Sequence, residues 1–345
     1  MRRKILLLLM IYVSFILASC QQNTPAERIG TYMGTVITEK VYGKNAQKAA
    51  DEVMEKIAEL EAMMTIKDAD KQSEIDKLND MAGVGEVKLS RDSISVLGKA
   101  IEYAELSEGA FDVTIGPLAN AWGIFTDNPR VPSKDEIDKL KSLVNYRDIS
   151  INNADSSAYL ARKGQIVDLG GIAKGYAGDV AVEILKAKGV KSALINLGGN
   201  VVALGSKPDG NPWSIGIQNP RAPTGEYIGI VKVRDKAVVS SGDYERFFEK
   251  DGVRYHHILD PRTGYPADSG LIATTIVADS STDADALSTS VFVLGLEKGM
   301  QLVERLDGVD AIFITEDKKV YITEGLKESF TFKDESKEFT YVEER

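Results

Sequence analysis

One stretch near the C-terminal end of the chain carries oxygen-bearing side chains at a spacing that suits a metal ion. If a helix begins at Thr282, then Asp285 and Thr289 follow at spacings of three and four residues, and all three present oxygens on one face. A carboxylate with neutral oxygens suits a hard cation, above all Mg²⁺, which keeps waters and bridges substrate phosphates. The same residues fit a helix N-cap with Asp in its first turn, so the segment alone leaves both interpretations open.

A second stretch, residues 167–176, combines a strand-like run with a glycine pair and the start of a helix. Gly170 and Gly171 precede Lys174, so backbone groups and one positive charge could approach a phosphate there. The spacing matches neither a Walker P-loop nor the dinucleotide-binding fingerprint. A tight strand-to-helix turn explains this stretch equally well.

The two histidines of the chain are adjacent, and one carboxylate stands inside an apolar run. On a strand, His256 and His257 point to opposite faces, so at most one of them easily enters a given site. Asp112 lies between apolar residues in the segment Gly109–Leu118, and a buried carboxylate there needs partners. Each feature alone also fits a structural role.

Spacing of apolar residues predicts the elements that position these groups. Helical spacing covers 46–64, begins again after Ser90 and after Ser133, and returns over 173–188. Strand-like runs are 193–197, 201–204, 228–233, 237–240, 255–259, 271–278, 311–315 and 320–323. Hairpin turns are predicted at 234–236 and 316–318, and the tail after Phe332 is predicted to be a solvated end. The fold class is therefore α+β, with antiparallel sheets flanked by helices.

Composition excludes several classes of protein. The 345 residues include 42 Lys and Arg against 52 Asp and Glu, and a net charge of −10 without a basic stripe argues against nucleic-acid binding. A single Cys excludes an internal disulfide, and with only two His a zinc site built from His and Cys is nearly excluded.

The N-terminus predicts export. Three basic residues, Arg2 to Lys4, precede an apolar run that ends in Leu-Ala-Ser-Cys, and this resembles a bacterial lipobox. Residues 1–19 are then a signal peptide, Cys20 is the lipidated residue and residues 20–28 are a tether. The alternative is a plain secretory signal with an incidental Cys. We expect the mature chain at the outer face of the bacterial cytoplasmic membrane or on a periplasm-facing membrane, held by acyl chains.

Seven segments, taken in order, resemble the ApbE-type flavin transferases, the FAD:protein FMN transferases. They are 33–35, 109–112, 168–176, 196–200, 241–244, 256–264 and 283–295. The resemblance implies a T-fold-like catalytic domain over residues 29–345. It also implies that FAD is split, that FMN is passed to a Thr or Ser hydroxyl of an acceptor flavoprotein through a phosphoester bond, and that AMP is released. The family's acceptors carry a motif resembling Asp-x-x-(Thr/Ser)-Gly-Ala-Thr.

The resemblance also assigns roles to residues. It places Mg²⁺ on Gly171, Thr282, Asp285 and Thr289, and FAD on Met33, Ala110, Phe111, Asp112, Asp168, Lys174 and Ile258. It also makes His257, the family's invariant His, the catalytic one. Because His titrates near working pH, we expect His257 to act as the base that activates the acceptor hydroxyl, while Mg²⁺ on Asp285 and Thr289 polarises the diphosphate. Ile66 departs from the family, where many members carry a Tyr against the flavin nucleotide, and Lys174 stands where other members have Glu.

Two alternatives to a transferase stay open at this point. An FAD pyrophosphatase would use water in place of the acceptor hydroxyl and yield free FMN and AMP. A non-catalytic flavin-binding lipoprotein would bind FAD and leave it intact.

Overall fold

A computed structural model describes residues 24–66 and 72–343 of the chain. The predicted signal peptide and Cys20 lie outside the described residues. Within these ranges the helices are α1 Ala46–Met64, α2 Glu74–Asp80, α3 Arg91–Leu106, α4 Gly116–Trp122, α5 Lys134–Lys141, α6 Ala173–Ala187, α7 Ser281–Leu294 and α8 Leu296–Val303. None of the helices in the described part of the chain has the length and apolar character needed to cross a membrane.

A nine-stranded sheet forms the centre of the fold. In spatial order its strands are β1 Ala26–Tyr32, β2 Thr35–Tyr42, β6 Ser192–Leu197, β7 Asn200–Gly205, β10 Lys236–Gly242, β13 Leu271–Ala278, β14 Asp310–Thr315, β15 Lys319–Ile322 and β17 Thr340–Tyr341. Neighbouring strands are antiparallel, except that β17 runs parallel to β15. This arrangement confirms the predicted α+β class with antiparallel sheets.

Three smaller sheets complete the fold. In spatial order they are β16 Phe330–Phe332 with β9 Tyr227–Val233 and β8 Trp213–Gln218, then β3 Val87–Lys88 with β5 Ser157–Leu160 and β4 Ile149–Asn152, and the pair β11 Phe247–Lys250 and β12 Val253–His256. Two short 3₁₀ turns lie at Tyr146–Asp148 and Glu324–Leu326.

The central sheet is covered on both faces by different layers. Helices α1, α6 and α7 pack on one face, where the apolar stripe of α1 is fully buried, as helical spacing predicted. Its buried residues are Ala46, Ala49, Ala50, Val53, Ile57, Leu60 and Met64. On the other face, the sheet of β8, β9 and β16 covers the middle and C-terminal strands and encloses a second apolar core. Within the described ranges the outer face of β1 and β2 carries no such cover, since Ile29 and Val36 are exposed there.

Most predicted boundaries are confirmed. Ser90 and Ser133 each accept a hydrogen bond from the backbone N–H three residues later, and so cap α3 and α5. The turn at 316–318 joins the paired strands β14 and β15. Strand β1 begins at Ala26, so the last three residues of the predicted tether belong to the sheet.

Two predictions about the second half of the chain are wrong. The turn at 234–236 joins β9 to β10, which lie in different sheets, so it is a crossing between layers and not a hairpin. Two strands joined by a hairpin and two strands of different sheets show the same alternation of apolar residues, because each strand buries one face. The tail after Phe332 is not a solvated end: Phe339 is buried in the second core, and β17 pairs with β15.

Candidate active site

A cleft of about 1150 Å³ opens between the central sheet, the start of α6 and the β11–β12 hairpin. The predicted site residues that line it are Met33, Ala110, Phe111, Asp112, Asp168, Gly171, Lys174, His257, Ile258, Asp285 and Thr289. Thr282 is not among the lining residues, and Ile66 packs against the main apolar core. Of the residues that the resemblance assigned to the metal, to FAD or to catalysis, all except Thr282 line this cleft.

The acidic end of the cleft is built where α6 and α7 approach each other closely. A Cβ at Gly175 would lie 2.3 Å from the carbonyl oxygen of Ser281, so only glycine allows this approach. The N–H of Gly175 donates to Asp285 Oδ2 at 2.8 Å, while Lys174 Nζ lies 3.8 Å from Asp285 Oδ1. The carboxylate is thus buried, held in place and facing one positive charge.

Thr289 follows Asp285 by one helical turn and presents its hydroxyl to the same cleft. Its Oγ1 lies 3.4 Å from the hydroxyl of Ser241 on β10, and 3.6 Å from the position that a Cβ of Gly171 would occupy. Among the residues of the structure's described ranges, no three His, Cys, Asp or Glu side chains are grouped to hold a metal ion. One carboxylate with neutral oxygens suits Mg²⁺, which takes its remaining ligands from water and phosphate oxygens.

Thr282 has a different environment from the one that its spacing suggested. Helix α7 begins at Ser281 with Ser280 as its N-cap, and the Thr282 hydroxyl donates to Asp179 Oδ2 at 2.6 Å. Asp179, on α6, also accepts the backbone N–H groups of Ser281 at 2.7 Å and Thr282 at 2.9 Å. The Thr282 hydroxyl therefore helps to fasten the start of α7 to α6.

Asp112 and Asp168, which also line the cleft, differ in their hydrogen-bond partners. Both oxygens of Asp112 are used inside the protein, by the N–H and hydroxyl of Thr114 at 2.8 and 2.6 Å and by the N–H of Tyr146 at 2.8 Å. Asp168 accepts only the N–H of Gly170, at 2.8 Å, among the hydrogen bonds that the structure gives its carboxylate. Burial raises the pKa of both carboxyl groups. Asp112 thus braces its own loop, and Asp168 keeps an oxygen for a ligand.

A two-residue turn carries Met33 into the cleft. Met33 and Gly34 join β1 to β2 with positive φ angles of 52° and 68°, a conformation that costs energy at the Met. The N–H of Met33 donates to Glu61 Oε1 of α1 at 2.6 Å, which holds the turn in this conformation. The turn at Gly198 packs beside it, since a Cβ at Gly198 would meet the Thr35 hydroxyl at 2.2 Å.

The two histidines point in different directions, one into the core and one into the cleft, although β12 ends at His256 and the predicted strand alternation does not extend to His257. His256 ends β12, is buried, and has its Nε2 3.1 Å from the carbonyl oxygen of Ala267. His257 lines the cleft, with Nδ1 3.2 Å from the carbonyl oxygen of Arg246 and its ring edge-on to Phe125. A carbonyl only accepts, so Nδ1 carries the proton and Nε2 keeps its lone pair.

Desolvation of the His257 ring is the main cause that lowers its pKa, to about 4, and the positive charge of Lys174 acts in the same direction. His257 is therefore neutral at physiological pH. A neutral imidazole with a fixed tautomer and a free Nε2 is ready to accept a proton from a hydroxyl group.

The family described as the ApbE family matches this chain over residues 33–313. The chain belongs to the ApbE family. Among its relatives, the FAD:protein FMN transferase of Treponema pallidum is 38% identical over 311 residues, covering 85% of each chain. That of Klebsiella pneumoniae is 35% identical over 291 residues, covering 84% of this chain and 89% of the relative.

Solved ApbE structures have the same fold. The ApbE protein of Thermotoga maritima superposes with a TM-score of 0.81 at 34% identity, covering 89% of this chain and 99% of that one. The flavin transferase ApbE of Vibrio cholerae superposes with a TM-score of 0.78 at 29% identity, covering 88% and 98%. The enzyme class expected from the sequence is the one that the names of these relatives carry.

Two residues that shape this ApbE site were missed in the sequence. Asp179 follows Gly175 by one helical turn, so its place on the same face of α6 was a usable signal. Glu61 lies on the partly exposed side of α1 and left no such signal, because its partner is a backbone N–H that is 28 residues away in sequence.

Proposed function

We propose that this chain is a Mg²⁺-dependent FAD:protein FMN transferase that links FMN to a Thr or Ser of an acceptor protein and releases AMP. The observation that carries the proposal is the presence, in one cleft, of a neutral imidazole with a free Nε2 on His257 and of the oxygen pair of Asp285 and Thr289. The imidazole can take the proton of the incoming hydroxyl, and the oxygen pair can hold a cation that balances the charge of a diphosphate.

The reaction forms one bond and breaks one. The acceptor hydroxyl oxygen attacks the phosphorus of the FMN half of FAD, and the bond from that phosphorus to the bridging oxygen breaks, so AMP leaves with that oxygen. His257 Nε2 takes the hydroxyl proton as the new O–P bond forms. The hydrogen bond from Nδ1–H to the Arg246 carbonyl keeps the ring in the tautomer that this step requires.

The residues for the cation and for FAD follow from the same cleft. The Mg²⁺ ligands would be Asp285, Thr289 and the backbone carbonyl of Gly171. Thr282 would support them by fastening the start of α7 to α6. Mg²⁺ bound there supplies positive charge to the diphosphate oxygens. The FAD contacts predicted by the family resemblance, at Met33, Ala110, Phe111, Asp112, Asp168, Lys174 and Ile258, all fall on the walls of the cleft.

The test is product analysis of the purified protein with FAD, Mg²⁺ and a peptide that carries the Asp-x-x-(Thr/Ser)-Gly-Ala-Thr motif. We expect AMP and FMN-peptide from the unaltered protein, and loss of both on EDTA treatment or in Asp285→Asn. Asp279→Asn, an exposed aspartate just before α7, is the control and should retain activity. Free FMN with no modified peptide would indicate a pyrophosphatase, and intact FAD would indicate a binding protein.

We also propose that the protein is exported and anchored through lipid on Cys20. The proposal rests on the basic residues, the short apolar run and the Leu-Ala-Ser-Cys sequence that precede the folded domain. Mass spectrometry of the N-terminal peptide from membranes should find acyl groups on Cys20. The variant Cys20→Ala should lose them, and an unmodified Cys20 in the membrane fraction would contradict the proposal.

A further inference from the structure

We infer that the free edge of β8, together with the bare outer face of β1 and β2, binds an extended segment of the acceptor protein as an added strand. The inference rests on the proposed function and adds to it the surface that presents the acceptor hydroxyl to His257.

Strand β8 is the edge of its sheet. It pairs with β9 on one side, and no strand of the described ranges pairs with its other side. Its odd-numbered residues, Trp213 among them, are buried in the second core, while Ser214 and Gly216 are exposed. An edge with unpaired N–H and C=O groups and little side-chain bulk is a template for another strand.

The floor beside this edge is partly apolar, and no element of the described part of the chain covers it. Ile29 pairs with Thr38, and Thr31 pairs with Val36, so these four side chains share the outer face of β1 and β2. Ile29 is 76% exposed and Val36 is 55% exposed, although both lie within regular strands. At the border of the covered region, Trp213 of β8 contacts Tyr42 of β2, with ring centroids 6.2 Å apart. The free edge of β8 therefore stands beside the bare part of the central sheet.

The space between the free edge of β8 and the outer face of β1 and β2, called the groove from here on, continues into the active site. Val36, Thr38, Gly216 and Gln218 line the same cleft as His257. The cleft volume of about 1150 Å³ is larger than the roughly 300–1,000 Å³ of most small-molecule sites, which leaves room for a second substrate. A strand added at β8 would thus lie along the wall of the cleft that also contains His257.

Charge separates the two parts of the cleft. The part around Asp168, Lys174 and Asp285 carries charged groups, which suit a diphosphate. The four lining residues of the groove are uncharged, and the exposed face beside them also carries Lys40 and Glu27, which form an ion pair at 3.2 Å. Backbone pairing groups beside a partly apolar floor whose charged side chains are paired suit a peptide, whose main chain supplies the affinity and whose alternate side chains meet the floor.

The test uses transfer of FMN to the motif peptide, with single backbone N-methyl groups placed along the peptide. An added strand points alternate N–H groups at β8, so methylation of one parity should lower kcat/KM about ten-fold and methylation of the other parity should not. The protein variant is Val36→Asn, which should raise the KM for the peptide about five-fold and leave the affinity for FAD unchanged. Val84→Asn is the matched control, because Val84 is 68% exposed and lies outside the cleft.

Each outcome bears on a different part of the account. Transfer that is insensitive to methyl parity, or a Val36→Asn variant that loses FAD affinity as much as peptide affinity, would overturn the groove while leaving the transferase intact. A dimer of the unaltered protein that Val36→Asn dissociates would place a second copy in the groove and also overturn the inference. FAD cleavage with no transfer to any peptide would overturn the proposed function, and the inference with it.

Discussion

Glu39 is a buried carboxyl group whose removal should stabilise this protein in a pH-dependent way. It lies on β2, is 1% exposed, and faces the helical layer between Ile37 and Val41. Among the described residues neither of its carboxylate oxygens has a hydrogen-bond partner. Its neighbour across the strand pair, Arg28, directs its guanidinium to Asp51 instead. Burial raises the pKa of Glu39 to about 8; the positive charge of Arg28 opposes this rise and Asp51 adds to it.

The sign and size of the effect follow from this shift. Between the ordinary pKa of 4.5 and the raised pKa of about 8, the folded state binds more protons than the unfolded state, so the free energy of unfolding falls as pH rises. Each pKa unit corresponds to about 1.4 kcal/mol, so Glu39 costs the folded protein about 3 kcal/mol at pH 7. Glu39→Gln keeps the shape and cannot ionise. The free energy of unfolding of Glu39→Gln, relative to that of the unaltered protein, should grow by about 3 kcal/mol between pH 5 and pH 8.

Urea unfolding followed by tryptophan fluorescence at several pH values measures this difference, because Trp122 and Trp213 are both buried. The control is Glu55→Gln, which removes an exposed glutamate of α1 and should leave the pH dependence as it is. A constant difference between Glu39→Gln and the unaltered protein from pH 5 to pH 8 would refute the reasoning, since it would mean that Glu39 titrates alike in both states.

Three further predictions concern the cleft. The pKa of His257 is lowered to about 4, and the proposed base acts in its neutral form. We therefore expect kcat/KM for transfer to stay level from pH 8 to about pH 5 and to fall below pH 5; a midpoint near 6.5 would contradict the assignment. Gly175→Ala should lower the free energy of unfolding in urea by about 2 kcal/mol or more, because the added Cβ collides with α7. The same collision displaces Asp285 and should weaken activation by Mg²⁺. An unchanged Mg²⁺ titration would argue against that coupling. Glu61→Ala should raise the KM for FAD about ten-fold with a smaller change in kcat, because the Met33 N–H loses its acceptor. Glu61→Gln keeps an acceptor and should have the KM of the unaltered protein. Equal KM values in all three proteins would show that the turn needs no support from Glu61.

Local patterns in the sequence predicted those parts of the fold that depend on local physics. The apolar stripe of α1 and the caps at Ser90 and Ser133 depend on residues within one or two turns of each other, and the structure confirms them. These features could be predicted because the residues that determine them are close in sequence.

Contacts between distant segments could not be predicted in the same way. The turn at 234–236 resembles a hairpin because both flanking strands alternate, and only the layer arrangement shows that they belong to different sheets. The position of Thr282 depends on Asp179, which lies 103 residues earlier in sequence and takes its hydroxyl. Glu61 supports the Met33 turn through a backbone group, which carries no residue-specific pattern. The family resemblance supplied the site that spacing alone left open.

The most direct test of the central claim is mass spectrometry of the motif peptide after incubation with the protein, FAD and Mg²⁺, run with the unaltered protein and with His257→Ala. The account predicts one FMN on a Thr or Ser of the peptide and one AMP released for each FMN attached, with no product from His257→Ala although it still binds FAD. Modification of the peptide by His257→Ala at an undiminished rate would contradict the role of His257, and an unmodified peptide beside intact FAD would contradict the proposed activity itself.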